Sequence, residues 1–292
     1  MKKSKKLLIR YIEFFLKKYF FTSIYPFFVF VRTRKTFKKK INIKKNFNRF
    51  SNNLSKINNS EFKITSQNNE DGIIEHIFKK IPHKKYFVEI GFGYYECNTL
   101  NLIKNNWSGR LIDSSIEETL AMRLNLNYFF SKPKVNIIHF KVTKYNINNI
   151  VFSDTFSSDI DFLSLDIDGN DYWVIKSLIS SKIKVICIEY NHWLGANTRL
   201  AMKYDPNFNF VDNGIFGASL LAFTEMLKAK HFSLVAVDSS GTNAFYVNNI
   251  FAESFEILCP IKNFISVGRF YSELKKKEIL ENIKKSDLFI KV

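Results

Sequence analysis

The residues best suited to chemistry in this 292-residue chain are acids and glycines at the ends of apolar runs. Tyr86-Phe-Val-Glu-Ile-Gly-Phe-Gly93 runs apolar into Glu89 and then meets two glycines. Gly91 and Gly93 let a backbone turn tightly and approach a ligand closely. A second apolar run, Arg110-Leu-Ile-Asp113, ends in another acid about twenty residues further on, the spacing of a nucleotide- or nucleoside-binding half-fold. The densest acid cluster is Asp166, Asp168 and Asp171. Such carboxylates bind substrate, act as a base, cap the next helix or hold Mg²⁺ or Mn²⁺. No third metal ligand stands out in the sequence, so no metal is assigned. Glu189, Asn191 and His192 follow a further apolar run. His192 is the natural base candidate, because deprotonating a hydroxyl or amine needs a group poised near neutral pH.

These residues need a frame, and the apolar periodicity supplies one. Strands are predicted over 86–90, 110–113, 135–140, 161–167, 184–190, 232–237 and 244–247. Helices are predicted over 69–78, 99–105, 117–129, 171–178 and 218–229, with Pro82 stopping the first. The acids then fall at the carboxyl ends of parallel strands, the edge where open α/β sheets bind ligands. Ser66, Gln67, Asn68 and Glu70 precede a helix and read as a capping box or as ligand contacts. The connection Asp238 to Asn243 is too short for a parallel crossover, so the last two strands pair antiparallel. The segment from Trp193 to Phe216 lacks periodicity. A long loop at the functional edge reads as a lid or substrate site, with Arg199, Lys203 and Tyr204 available for a phosphate or acidic sugar.

Charge is uneven. Residues 1–50 hold sixteen Lys/Arg and one acid, Glu13, so +15 of the net +17 lies in this arm. Its uncharged run from Tyr19 to Val31 falls short of the about 20 residues that span a bilayer. Phe and Tyr interleaved with Lys and Arg suit an anionic membrane surface, or else form a flexible tail. The body offers no second basic stripe for nucleic acid. Cys97, Cys187 and Cys259 are scattered and odd in number, which argues against a disulfide framework and fits a reducing, cytoplasmic setting, at the inner face of the membrane if the arm binds there. The expected organisation is an arm at 1–50, a linker at 51–61, a domain at 62–255 and an extension at 256–292 packed on it.

The layout resembles class I S-adenosylmethionine-dependent methyltransferases, and more narrowly their FkbM-like branch. Glu89-Ile-Gly-Phe-Gly93, Asp161-Phe-Leu-Ser-Leu-Asp-Ile-Asp-Gly-Asn-Asp171 and Ile188-Glu-Tyr-Asn191 carry the resemblance, which spans roughly 62–250. It implies an α/β Rossmann-like, doubly wound seven-stranded sheet with an antiparallel last hairpin. It implies S-adenosyl-L-methionine as cofactor, held by Gln67, Glu70, Glu89, Gly91, Gly93, Asp113 and Asp166. Asp166, Asp168 and His192 are then the catalytic candidates, and Asp171, Glu189, Asn191, Arg199 and Tyr204 the substrate contacts. The implied reaction is O-methylation of a saccharide or lipid-linked glycan. Alternatives are a metal-dependent glycosyltransferase using Asp166 and Asp168, an NAD-linked oxidoreductase, or a non-catalytic membrane-associated protein. The chain departs from the superfamily at Tyr94, Tyr95 and Glu96, where a third glycine is common.

Overall fold

The computed structural model describes residues 24–43, 55–153, 159–179, 181–266 and 271–292. Seven strands form its main sheet: Tyr86–Ile90 (β1), Ser108–Asp113 (β2), Val135–His139 (β3), Ile160–Leu165 (β4), Ile183–Glu189 (β5), Phe232–Val237 (β7) and Asn243–Asn248 (β8). Their order is β3-β2-β1-β4-β5-β8-β7. The first five pair in parallel, and β8 runs antiparallel to both β5 and β7. The sheet class and the antiparallel hairpin are therefore as the sequence implies.

Both faces of the sheet are buried, as expected of a parallel sheet covered by crossover helices. Phe87, Leu111, Phe162 and Val185 line one face. Val88, Ile112, Leu163 and Ile186 line the other. Glu89 shares the face of Phe87 but lies two residues nearer the carboxyl edge. There its row continues into Ser164 and Cys187. The switch from apolar to polar within one row marks where the core ends and the functional edge begins.

The basic arm is partly a helix. Tyr25–Ile41 (α1) begins with Pro26 in its first turn and ends in Lys38, Lys39 and Lys40, both favourable placements. Tyr25, Val29, Thr33 and Phe37 form its buried face. The remaining helices are Glu70–Phe78 (α2), Leu100–Lys104 (α3), Ile116–Phe129 (α4), Ile147–Val151 (α5), Asp171–Ser177 (α6), Leu220–Lys228 (α7) and Glu273–Lys285 (α8). Helix α1 packs on α4: Asn125 donates to Thr33 Oγ1 at 2.8 Å, and the Phe37 and Phe129 rings stack at 5.7 Å. Residues 1–23 of the arm and 44–54, including 51–54 of the expected linker, lie outside the described residues. Within 51–61, Lys56–Ser60 is a 3₁₀ turn, and Asn58 Nδ2 binds the Val237 carbonyl at 2.8 Å. The described part of the expected linker, 55–61, is thus held against the last hairpin.

Leu200–Met202 (β6) pairs with Phe289–Lys291 (β9), so the carboxyl-terminal segment is fastened beside the 193–216 connection. The expectation of an irregular 193–216 overlooked that short strand, as three residues are too few to show a period.

Gly91 is the tightest point of the frame. Its φ is +76°, and a Cβ there would lie 1.6 Å from the Asp166 carbonyl oxygen. Gly93 is different: a Cβ would stand 3.2 Å from the Glu96 carbonyl oxygen, and its φ is not in the left-handed region. Gly91→Ala should cost about 3 kcal/mol or more, and Gly93→Ala under about 1 kcal/mol. Urea unfolding midpoints at unchanged slope read the difference.

Candidate active site

The acids do not act alike, and their hydrogen bonds say why. Glu89 is buried and saturated: it accepts from Cys97 Sγ at 2.9 Å, Asn98 N at 2.9 Å, and both Thr99 N and Oγ1. Four donors fasten the chain that leads from the glycine turn into α3. Burial raises the Glu89 carboxyl above its ordinary value, while these bonds oppose the rise. Asp171 plays the same part at the next strand. Its two oxygens accept from Ile167 N at 2.9 Å and Gly169 N at 2.8 Å, clamping the turn after β4. Asp71 gathers the amides of Ile64, Thr65 and Ser66 at 2.7–3.0 Å.

At the carboxyl edge these clamps enclose a cleft of about 730 Å³. This is within the range of small-molecule sites, roughly 300–1,000 Å³. Gln67, Glu89, Gly91, Gly93, Asp113, Asp166 and Asp168 all line it. Asp113, at the end of β2, accepts from Phe92 N at 3.2 Å and Ser115 N at 2.5 Å. Each carboxylate oxygen keeps a further lone pair, so two hydroxyls of a ligand are accommodated as well. Glu118, in the first turn of α4, also lines the cleft and accepts from Tyr94 N at 2.7 Å. In the sequence it falls in the first turn of the helix predicted over 117–129. Its bond across to the glycine loop has no local signal.

Asp166 follows β4, and its Oδ1 is buried without a hydrogen-bond partner in the protein. The Asp166 and Glu189 carboxyls are hydrogen bonded to each other. Burial, then the charges of Asp168 and Asp171, pushes Asp166 well above the carboxylate range. Burial, then Asp166, does the same to Glu189. Burial and mutual repulsion therefore favour a proton shared between the two carboxyls. One oxygen from each of Asp166, Asp168 and Glu189 falls within 4.8 Å of the others, a spacing open to a divalent cation as well as to a shared proton. Asp168 sits at φ +57°, an uncommon conformation for a non-glycine residue. Its side chain is reached by solvent, yet burial in the cleft and the charge of Asp171 raise it to about 6.

Several expected site residues lie elsewhere. His192 does not line the cleft: its ring packs on Trp193 with centroids 4.5 Å apart, and burial lowers it to about 3. It stays neutral, and burial has removed the near-neutral pKa that made it attractive as a base. Asn191 is buried and holds Gly214 O and Phe216 O at 2.9 and 2.8 Å. Arg199 is paired with Glu225 at 2.7 Å. Tyr204 sits under Lys144, whose Nζ is 4.2 Å from its ring centre. Asp171 is spent on its clamp, and Glu189 reaches the site only through Asp166. Glu70 lies behind the cleft, accepting from Asn68 N at 2.7 Å and from Asn243 Nδ2 at 2.8 Å. At the expected capping box, Asp71 N donates to Ser66 Oγ at 3.3 Å and Ser66 N donates to Asp71 Oδ2 at 3.0 Å, while Asn69 makes no side-chain cap.

The loop after β6 closes one side. Asn170 and Asp205 exchange two hydrogen bonds, of 2.7 and 3.1 Å. Phe208 covers Gly169, where a Cβ would lie 2.4 Å from its ring. Phe208 and Asn209 thereby enter the cleft lining. The sequence marked this segment for its lack of pattern, but pointed to Arg199 and Tyr204 rather than to these residues.

The raised carboxyls predict a pH dependence of stability. A carboxyl with a folded pKa above its unfolded one binds its proton more tightly when folded, so stability falls as pH rises between the two. Burial and then the charge of Asp238 raise Glu70 to about 7, and burial raises Asp238 to about 6. His192, lowered to about 3, contributes the opposite slope, but only below its ordinary value of 6.5. Melting temperature should therefore fall from about pH 6.5 to about pH 8, and Glu70→Gln should flatten that fall. Scanning calorimetry of both proteins across this range checks it.

Among solved structures, the chain is similar to TrmK of M. capricolum in complex with S-adenosylhomocysteine, at 12% identity and TM-score 0.34, covering 60% of this chain and 65% of that one. It is similar to magnesium protoporphyrin IX methyltransferase of Synechocystis PCC 6803 with bound S-adenosylmethionine, at 9% identity and TM-score 0.40, covering 61% and 77%. It is also similar to an O-methyltransferase of Bacillus cereus in complex with S-adenosylhomocysteine, at 19% identity and TM-score 0.37, covering 56% and 72%. No curated protein sequence matches the chain. The family model of the methyltransferase FkbM domain matches residues 27–214, which takes in α1, the glycine turn, the acid cluster and the loop over the cleft. The chain belongs to the FkbM methyltransferase family.

Proposed function

We propose that this FkbM-family methyltransferase moves a methyl group from S-adenosylmethionine to a hydroxyl oxygen of a saccharide or lipid-linked glycan. The observation that carries the cofactor reading is the charge of the cleft. Glu89, Glu96, Asp113, Glu118, Asp166 and Asp168 face it with Lys141 as the one cation among its lining residues. Such a wall suits a ligand bearing an ammonium and a sulfonium, and it repels the pyrophosphate of a dinucleotide or nucleotide sugar. The orphaned Asp166 Oδ1 adds an acceptor that the protein leaves unused. Asp113 would hold the ribose hydroxyls.

When bound, the cofactor supplies an electrophilic methyl group on a positively charged sulfur. The chain's own work is alignment, exclusion of water and removal of one proton. Asp168 is the residue suited to that proton. It lines the cleft, it is reached by solvent, and its value of about 6 leaves it ionised yet basic near neutral pH. Asp166 and Glu189 keep their shared proton and hold Asp168's surroundings fixed. Phe208 and Asn209 bound the space left for an acceptor, and a polar, partly aromatic wall suits a sugar ring.

Calorimetric titration of the full chain tests the cofactor reading. S-adenosylhomocysteine should bind in the micromolar range, and Asp113→Ala should weaken it about tenfold or more, the loss of a charged acceptor for buried hydroxyls. Binding of a UDP-sugar with Mn²⁺, without binding of S-adenosylhomocysteine, would instead assign Asp166, Asp168 and Glu189 to a metal. Transfer from labelled donor to a panel of saccharides tests the acceptor. Its rate should rise as pH increases through about 6, while Asp168→Asn should lower it by about 10²-fold or more and remove that inflection.

A further inference from the structure

The exposed face of α1 is not explained by methyl transfer. Directly opposite its buried residues run Phe27, Val31, Lys35 and Lys39, spaced by four so that they form one stripe. Phe27 is 68% exposed, and Ile24 and Val31 beside it are 45% and 43% exposed. Tyr128 of α4, 65% exposed, joins the apolar end, its ring 5.0 Å from Phe30. The other end is cationic, with Arg34, Lys35, Lys38 and Lys39 all exposed. Residues 24–43 contain six Lys/Arg and no acid, and the sequence leading into them adds seven more against Glu13. An ordinary solvated helix face would not expose a Phe, a Val and an Ile together, and would mix charges of both signs.

We infer that this face rests on an anionic lipid bilayer, with Ile24, Phe27, Val31 and Tyr128 at the headgroup level and the cations of the second half on lipid phosphates. Aromatic rings and short apolar side chains enter the interface, while Lys and Arg draw on the negative surface. No described helix is long and apolar enough to cross a membrane, so the contact lies along the surface.

The same helix borders the cleft. Lys40 pairs with Glu96 of the cleft wall at 3.6 Å. The Tyr94 side chain is hydrogen bonded to Thr36, and the charge of Arg32 acts on Glu118. A bilayer under α1 therefore brings its headgroups alongside the mouth of the site. Resting on the proposed function, this favours an acceptor carried by a lipid over one free in solution.

Co-sedimentation of the full chain with vesicles tests the surface independently of catalysis. Vesicles of phosphatidylcholine with about 30% phosphatidylglycerol should pull the protein down, and phosphatidylcholine alone should not. Substituting Lys35, Lys38 and Lys39 together by Gln should weaken binding about a hundredfold, at about fivefold for each cation. Phe27→Ser with Val31→Ser should weaken it about tenfold or more and leave the salt dependence in place. All of these side chains are exposed, and an unchanged melting temperature verifies the fold of each variant. Equal binding to both vesicle types, undiminished binding by the lysine variant, or displacement from vesicles by a short RNA bound more tightly would overturn the proposal. If vesicles bind while S-adenosylhomocysteine does not, the surface stands and the proposed function fails.

Discussion

The site depends on two backbones being allowed to touch. Gly91 leaves β1 and Asp166 leaves β4 at neighbouring points of the sheet, and the space between them has no room for a Cβ. Gly91 N still reaches Ile112 O at 2.9 Å, and Asp166 N reaches Ile90 O at 2.9 Å, so both ladders continue one step past their strands. Three chain segments thus leave the sheet in register. Because they do, Glu89, Asp113 and Asp166 emerge side by side at one edge. A bulkier residue at 91 would part β1 from β4 and move Asp166 away from Glu89 and Asp113. The glycine is therefore a constraint of the frame first, and a means of close approach to a ligand second.

The acids at that edge divide by how many protein donors they already have. Glu89, Asp71 and Asp171 are filled by backbone amides and hydroxyls, and each fixes a loop. Glu61 does the same for the last hairpin, accepting from Ser239 N at 2.8 Å and from Ser239 Oγ. Asp238 closes that hairpin by accepting from Gly241 N at 2.8 Å and Asn243 N at 2.5 Å. What remains for a ligand is smaller: Asp113 with lone pairs to spare, Asp166 with an orphaned oxygen, and Asp168 open to solvent. Buried charge is costly unless satisfied, so the filled acids are stable parts of the fold. The unfilled ones are costs that a ligand would relieve, which is where function concentrates.

Strand positions were legible because burial on both faces leaves a continuous apolar run, and the acid after each run marks the carboxyl edge. The hairpin was legible from the length of one connection. The cleft lining was partly legible for the same reason: Glu89, Gly91, Asp113, Asp166 and Asp168 all sit at strand ends. Side-chain direction was not. Asp171 and Asp168 are three residues apart, yet one turns inward to clamp its own loop and the other outward into the cleft, a choice made by φ +57° at Asp168. His192 read as a base because histidine titrates near neutrality, but burial against Trp193 removes that property. Glu118, Phe208 and Asn209 enter through contacts across 24 to 40 residues, which no local pattern records. Arg110 shows the same limit from the other side, since a fully buried arginine binding Ile150 O and Ser153 Oγ looks like surface in the sequence.

The departure at Tyr94, where a third glycine is common in the superfamily, joins these threads. A glycine there would free the loop. Tyr94 instead ties it down, with its amide on Glu118 and its side chain packed against the cluster of Tyr25, Val29 and Ala121 between α4 and α1. The residue that bends around the cofactor site is thus the same residue that anchors the basic helix. A chain of contacts runs from α1 through Tyr94, and through its amide, to Glu118 in the cleft wall. Positive charge sits on the outer side of that joint and negative charge on the inner side, near neutral in sum across the Lys40–Glu96 pair. One tyrosine thus joins the helix proposed to rest on a bilayer to the loop that lines the cleft.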